Sequence, residues 1–222
     1  MSSDNIVEKA YEYVLLLLKD TKDKGYCFHN LDHTIEVYER SIYICDKENI
    51  NQELSELVKL GALFHDTGFL YQYDNNEPMA RNLLEMFSKK RDWGFQERLN
   101  FSPLVNDFLL YYNYPHDKLE IVNKLILATM PYFQPNNILE SIIKDSDMDN
   151  VGRDDFFENG KLIRLELKNI KGIEYSDLQW NKNVYKMMSS FQYGTKTQKN
   201  ERGEKYEENM KTLKSLINSL KG

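Results

Sequence analysis

The 222-residue sequence has an ordinary globular composition, with 41% hydrophobic and 29% charged residues. This balance argues against a disordered or fibrous protein, and the length suits one well-buried domain over residues 1–222. The 35 acidic residues exceed the 29 basic ones and give a formal net charge of -6. Because this overall field repels a polyanion, duplex nucleic acid is not expected as a partner.

The two cysteines and the N-terminus indicate the compartment. Cys27 and Cys45 do not have the spacing of a zinc site, a redox motif or a disulfide framework. The sequence opens without a basic leader, and the apolar run from Val14 to Leu18 is too short to cross a bilayer. We therefore expect a cytoplasmic protein that does not enter a membrane.

Helical periodicity dominates the chain, and no segment shows the alternation typical of a half-buried strand. The predicted fold class is therefore all-α. The first helix is predicted over 6–18, the second begins after Asn30 as its N-cap, and the third covers 52–66. Further helices are predicted over 77–90, 96–112, 117–129, 136–147, 154–169, 176–193 and 203–220. The polar, charge-rich segment 195–208 leads into the last helix and is the stretch predicted to be most mobile, although its helical end could pack back on the body of the protein.

Three of the four histidines lie in two segments about thirty residues apart: His29, His33 and His65. On the third predicted helix, Leu54, Val58 and Gly61 share one face, and His65 is the next position on that face. His65 is therefore predicted to point into the interior.

Asp147 follows Leu139 and Ile143 at successive intervals of four, so it is also predicted to point inward. A buried carboxylate must be paired, hydrogen-bonded or bound to a metal, because an isolated buried charge is very costly. His33, near the start of the second helix, and Asp66, beside His65, would complete a ligand set between facing helices.

Asp145 and Asp149 remain alternatives to Asp147, since spacing alone allows any of the three to approach an ion. The apolar face of the helix favours Asp147. Nitrogen and oxygen ligands favour a divalent metal ion such as Mn²⁺, Mg²⁺, Fe²⁺ or Zn²⁺.

The histidines and aspartates lie in four motifs: His-Asn-x-x-His-Thr at 29–34, Leu-Phe-His-Asp-Thr-Gly-Phe at 63–69, Leu-Ile-x-Ala-Thr at 125–129 and Lys-Asp-Ser-Asp-Met-Asp-Asn-Val-Gly-Arg at 144–153. In these motifs the chain resembles the HD-domain superfamily of metal-dependent phosphohydrolases. The resemblance implies a compact helical bundle with a metal site in the core. Two-metal members of this superfamily generally recruit additional histidines from later helices, and only His116 remains here, so a mononuclear or weakly dinuclear site is favoured. The implied metal ligands are His33, His65, Asp66 and Asp147, and Asp66 is also expected to help position the attacking water.

Two further roles come from the resemblance. His29 stands where distantly similar cyclic-nucleotide phosphodiesterases have a histidine that protonates the leaving oxygen; alternatively, it only orders the turn with Asn30. Glu77 matches a position where related chains often carry His-Glu, so it could orient the water or hold a ligand histidine. Alternatively, Glu77 simply complements the dipole of a first helical turn.

The tail motif Phe-x-Tyr-x-Thr at 191–195 also resembles one bacterial subgroup of this superfamily. The implied substrate-binding cations are Arg153, Arg202 and Lys205. Such cations could hold a phosphate, although a run of charge is more often a solvated surface. His116 is expected to be structural or exposed, and Tyr71, Tyr73 and Tyr132 could form walls against which a base stacks.

The predicted function is metal-dependent hydrolysis of a phosphoester or phosphoanhydride bond in a small phosphorylated substrate, a nucleotide being favoured. One alternative is a cyclic-nucleotide phosphodiesterase. An alternative of another class is a metal- or nucleotide-binding sensor without turnover, suggested by Asn76 where related chains have histidine. A helical surface this rich in aromatic residues would be compatible with a homodimer.

Overall fold

The computed structural model describes residues 4–70 and 104–221. Within these ranges all regular structure is helical, which confirms the predicted all-α fold. The described α-helices are α1 (Asp4–Leu18), α2 (Leu31–Lys47), α3 (Gln52–Phe64), α4 (Leu104–Tyr111), α5 (His116–Ala128), α6 (Ile138–Asp147), α7 (Phe156–Lys171), α8 (Asp177–Ser189) and α9 (Lys196–Ser219). Short 3₁₀ helices cover Lys22–Lys24, Thr67–Leu70 and Met148–Gly152. The predicted helix over 77–90 and the beginning of the one over 96–112 lie outside the described residues.

Side-chain caps set several helix starts. Asn30 accepts a hydrogen bond from the backbone N–H of Asp32, as predicted for the start of α2. Asn137 and Ser176 cap α6 and α8 in the same way. A cap supplies an acceptor for a backbone N–H that has no partner within the helix, and the predicted starts of these helices therefore lie close to the observed ones.

The last helix starts earlier than predicted. Thr195 is its N-cap and accepts a hydrogen bond from the Gln198 N–H, so α9 begins at Lys196 rather than at 203. Thr197 and Gln198 are buried. The prediction of a mobile segment over 195–208 is therefore wrong, because these polar residues are helical and some bond to the body of the protein.

In the described part of the chain, two clusters of buried apolar side chains form the core. The larger cluster joins α1 through α6 and includes Phe64, Leu125 and Ile143. The smaller cluster joins the 3₁₀ turn Met148–Gly152 to α7, α8 and α9, and includes Phe156 and Met188. The end of α6 connects the two clusters.

Gly61 allows α3 to approach its neighbours closely. A Cβ at this position would lie 2.9 Å from Ile143 Cδ1 on α6 and 3.2 Å from Leu125 Cβ on α5. A methyl group here would require Ile143 Cδ1 and Leu125 Cβ to move, and packed interiors leave little spare volume for such shifts. Gly61 therefore helps to bring the ends of α3 and α6 together.

Within the described ranges, no helix combines the length and the apolar character needed to cross a membrane.

Candidate metal centre

His65 immediately follows α3 and keeps helical backbone angles. Its side chain is 1% exposed, which agrees with the inward direction predicted from the face of α3. His65 Nδ1 lies 2.8 Å from the Ala62 carbonyl oxygen, to which it can donate a hydrogen bond. A ring nitrogen that donates to a carbonyl leaves the other nitrogen as the one that can bind a metal. For His65 that second nitrogen is Nε2.

His33 lies in the first turn of α2 and faces His65. The Nε2 atoms of the two rings are 3.4 Å apart, and the His33 side chain is 7% exposed. Two histidine nitrogens that approach head to head, from different helices, are well placed to share a cation.

Two carboxylates approach the same pair of nitrogens. Asp66 Oδ2 lies 3.2 Å from His65 Nε2 and 3.4 Å from His33 Nε2. Asp147 Oδ1, from the last residue of α6, lies 3.2 Å from His33 Nε2 and 3.6 Å from His65 Nε2. The ligand atoms of His33, His65 and Asp66 all lie within 4.8 Å of one another. We call these three residues, together with Asp147, the histidine-aspartate cluster.

Asp145 and Asp149, the alternatives to Asp147, have structural partners. The Asp145 carboxylate accepts hydrogen bonds from Gly194 N at 2.9 Å and from Thr195 N at 2.7 Å. Asp149 Oδ1 lies 2.8 Å from Arg202 Nε and also accepts a hydrogen bond from Gln198. Both carboxylates thus hold the start of α9, which leaves Asp147 as the residue of this segment that approaches the histidines.

The donor set suits a divalent cation. Asp66 Oδ2 is buried and makes no well-formed hydrogen bond within the described part of the chain; its polar neighbours there include the Nε2 atoms of His65 and His33. A buried carboxylate oxygen of this kind favours a positively charged partner. Burial favours the neutral form of Asp147, but hydrogen bonds from His33 and His65 hold the pKa of Asp147 far below its usual range. Burial opposes protonation of His65, yet Asp66 and Asp147 raise the pKa of His65 well above its usual value. The cluster therefore favours positive charge, and two imidazoles with two carboxylates are ligands that Mn²⁺, Fe²⁺ and Zn²⁺ accept.

Glu166, on α7, holds His29 and was not found from the sequence. Its carboxylate is fully buried and accepts hydrogen bonds from Phe28 N at 2.8 Å and from His29 N at 2.9 Å. His29 Nδ1 lies 2.5 Å from Glu166 Oε1. Burial lowers the pKa of His29, but the hydrogen bond to Glu166 and the nearby carboxylates outweigh it and raise the pKa. The sequence shows that Glu166 lies on an amphipathic helix, but it does not indicate that His29 is the partner of this carboxylate.

A cavity of about 450 Å³ opens beside the cluster. His29, Asp66 and Asp147 all border it, as do side chains from α7 and α8. A larger groove of about 650 Å³ lies among α1, α2 and α3, but it contains no histidine. Of these two cavities, the smaller one is therefore the candidate substrate site, because residues that could bind a metal or transfer a proton border it.

The three cations predicted to bind substrate are not brought to this cavity. Arg153 bonds to Asp155 and Glu36, Arg202 to Asp149, and Lys205 lies 2.7 Å from Asp154. Each cation neutralises carboxylates near α9 or the 3₁₀ turn that precedes α7. The structure therefore does not support a role for Arg153, Arg202 or Lys205 as phosphate ligands.

The other residues named from the sequence lie away from the histidine-aspartate cluster or outside the described residues. His116 begins α5 with its side chain 74% exposed, as expected for a histidine without a role in the site. Tyr132 is exposed and is not among the described residues that line the cavity, and its role as a stacking wall stays a prediction. Glu77, Tyr71 and Tyr73 lie outside the described residues, and their predicted roles stay predictions.

Comparison with known families agrees with this geometry. A family model described as the HD domain matches residues 30–149, more than half of the chain. The chain belongs to the HD-domain family. No curated protein and no solved structure gives a significant match.

Membership of the HD-domain family indicates the general chemistry of the histidine-aspartate cluster. HD domains bind divalent metals and are generally metal-dependent phosphohydrolases. The matched segment contains the whole histidine-aspartate cluster but ends before α7 and α8, which supply much of the cavity wall. This HD-domain protein thus combines a family-type centre with a cavity completed by its own C-terminal helices.

Proposed function

We propose that this HD-domain protein hydrolyses a phosphoester or phosphoanhydride bond in a nucleotide. One observation carries the proposal: Asp66 and Asp147 of the histidine-aspartate cluster border the same cavity as His29. Candidate metal ligands and a candidate proton donor thus meet one space large enough for a small organic phosphate.

His33, His65, Asp66 and Asp147 would hold the cation. Bound there, a divalent metal ion supplies Lewis-acid chemistry, polarising a phosphoryl oxygen and making water more acidic. Asp66 can also orient the attacking water, because its carboxylate borders both the cluster and the cavity. The apolar remainder of the wall limits the access of other water molecules to the reacting phosphate.

In this proposal His29 donates a proton to the leaving oxygen. With Nδ1 directed to Glu166, the proton donated toward the cavity would come from Nε2. Glu166 favours the protonated imidazole and fixes its orientation, as a carboxylate does when it supports a catalytic histidine. An acid of this kind matters most when the leaving group is a poorly stabilised alkoxide, such as a ribose oxygen.

Asp147→Asn is expected to weaken metal binding. The amide keeps the shape of the side chain but removes its charge, and even groups that only support a metal ligand change affinity roughly 10- to 100-fold. Elemental analysis after loading with Mn²⁺ and desalting measures the change. Asp154→Asn is the matched control, because Asp154 is 94% exposed. If Asp147→Asn keeps the parent's metal content, the ligand must be sought at Asp145 or Asp149 instead.

A nucleotide panel with product analysis tests the activity and the bond that is cleaved. Nucleoside monophosphates, nucleoside triphosphates and cyclic nucleotides are incubated with the protein and Mn²⁺, Mg²⁺, Fe²⁺ or Zn²⁺. We expect hydrolysis of at least one of these nucleotides, at a rate that falls to background when a chelator is added. If no nucleotide and no aryl phosphate is hydrolysed with any of the four metals, a metal- or nucleotide-binding sensor replaces the enzyme proposal.

A cyclic-nucleotide phosphodiesterase is the second candidate, and the His29–Glu166 contact favours it. Opening a cyclic phosphate expels a ribose alkoxide, which needs a proton donor. The substrate and product together distinguish the candidates. A linear nucleoside monophosphate formed from a cyclic nucleotide identifies the phosphodiesterase. A nucleoside and phosphate formed from a monophosphate identify a phosphomonoesterase, and phosphate or pyrophosphate released from a triphosphate identifies phosphoanhydride cleavage.

A further inference from the structure

The cavity wall formed by α7 and α8 lies beyond residue 149, outside the segment that matches the HD family. Its side chains are mostly apolar: Phe156, Ile163, Trp180, Val184 and Met187. Because the HD segment supplies the whole histidine-aspartate cluster, this wall is where the protein can select the organic part of its substrate.

Two neutral amides interrupt the apolar wall. Asn150 and Asn183 line the cavity, and in the described part of the chain neither side-chain amide has a hydrogen-bond partner. An amide offers two donor hydrogens and one acceptor oxygen, as the edge of a nitrogen heterocycle requires. Among the described lining residues there is no lysine or arginine. This part of the wall therefore suits a neutral, planar, polar-edged group better than a second phosphate.

Gly160 leaves the Trp180 indole uncovered by α7. A Cβ at Gly160 would meet only Trp180 among the described residues, at 3.9 Å from both Cζ2 and Nε1. That distance is an ordinary van der Waals contact, with open space around it. A longer side chain at position 160 would therefore occupy the space in front of the indole.

We propose that the α7–α8 wall, with Asn150, is a nucleobase site, in which a base stacks against Trp180 and bonds to Asn150 or Asn183. The proposal rests on the proposed function, because it assigns the base end of the same substrate. The volume of about 450 Å³ is within the range of small-molecule sites, which is roughly 300–1,000 Å³. Stacking on an aromatic side chain changes affinity roughly 5- to 150-fold per base.

The test uses nucleosides, which lack the phosphate and so do not depend on the metal or on turnover. Adenosine, guanosine, cytidine and uridine are added separately to the metal-free full chain, with ribose as the compound without a base. Saturation-transfer NMR detects such weak binding and identifies the ligand protons that touch the protein. We expect at least one nucleoside to receive saturation on its base protons, and ribose to receive none.

Two variants are designed to disrupt the proposed nucleobase site, one by filling it and the other by removing its stacking surface. Gly160→Leu fills the space in front of the indole, and Trp180→Leu removes the stacking surface while keeping an apolar residue. Each is expected to weaken nucleoside binding, for Trp180→Leu by roughly 5- to 150-fold. Gly160→Ala is the matched control: alanine favours the helix and its methyl group makes only ordinary contacts, so binding should stay within about twofold. Circular dichroism verifies that all three variants fold.

The outcomes separate this proposal from the proposed function. Absence of saturation from every nucleoside, or unchanged binding in both Gly160→Leu and Trp180→Leu, overturns the nucleobase site. If the parent then still hydrolyses an aryl phosphate with Mn²⁺, the phosphohydrolase proposal stands without it. Nucleoside binding without hydrolysis of any phosphoester would support the base site and remove the enzyme proposal.

Discussion

Replacing His65 with alanine is expected to abolish metal-dependent hydrolysis. His65 Nε2 lies within 3.6 Å of His33 and of both cluster carboxylates, so its loss removes the central ligand of the site. Metal-ion catalysis contributes several kcal/mol, and each 1.4 kcal/mol is about a factor of ten in rate. We therefore expect kcat/KM to fall roughly 1,000-fold or more, measured with an aryl phosphate and Mn²⁺.

Thermal unfolding gives a readout of the same change without turnover. At about 100 times its Kd, a ligand stabilises the folded state by about 2.7 kcal/mol. For a chain of this size that corresponds to a rise in Tm of about 5–10 °C. The parent should show this rise on addition of Mn²⁺, and His65→Ala should not.

His116→Ala is the matched control for His65→Ala. The His116 side chain is 74% exposed and lies 3.6 Å from Glu120 on the same helix. Removing it should leave turnover and the Mn²⁺-dependent rise in Tm within about twofold of the parent, as surface substitutions usually do. A His65→Ala protein that keeps both properties would show that the metal, if bound, is held elsewhere.

Glu166→Gln is expected to reduce turnover selectively on substrates with poor leaving groups. Glutamine can still accept from the backbone of Phe28 and His29, but it no longer provides the negative charge that favours protonated His29. General-acid catalysis is worth roughly 10²–10⁴-fold. We expect a loss of roughly 100-fold on nucleotides and little change on nitrophenyl phosphate, whose leaving group needs no proton. Bound metal should be unchanged by elemental analysis.

A purely structural role for Glu166 would predict a different pattern, with equal losses on good and poor leaving groups. A double-mutant cycle adds a second criterion: Glu166→Gln should cost little further activity in a His29→Ala protein, because the two residues act as one unit. Glu158→Gln, at an exposed position on the same helix, is the matched control and should resemble the parent. Additive losses in the cycle would contradict the assignment of Glu166 as the residue that positions His29.

Much of the cluster could be predicted from local pattern. The inward direction of His65 followed from the face shared by Leu54, Val58 and Gly61, and its side chain is buried. The third helix ends two residues earlier than predicted, but His65 keeps helical angles, so its direction is unaffected. Periodicity succeeds here because the direction of a helical side chain depends on backbone geometry within a few residues.

The partners of the three predicted substrate-binding cations could not be predicted, for the opposite reason. Arg153, Arg202 and Lys205 resembled a phosphate clamp in sequence, but the structure pairs them with carboxylates. Nothing in the local sequence of Arg202 indicates Asp149, which lies on a different element. The partner of a charged side chain is decided by which helices pack together, and that depends on side-chain volumes across the whole fold.

The sequence by itself determined the helical class, the inward direction of His65 and the types of ligand in the HD segment, because these depend on short-range periodicity and on residue chemistry. Helical periodicity favoured Asp147 over Asp145 and Asp149, but only the tertiary structure shows that the other two carboxylates bond to the segment that begins α9. It alone decided that Glu166 reaches His29 from 137 residues away. It also decided that α7 and α8 complete the cavity. These features are contacts between helices. They depend on how closely the helices pack, as at Gly61, where the absence of a side chain lets α3 approach α5 and α6.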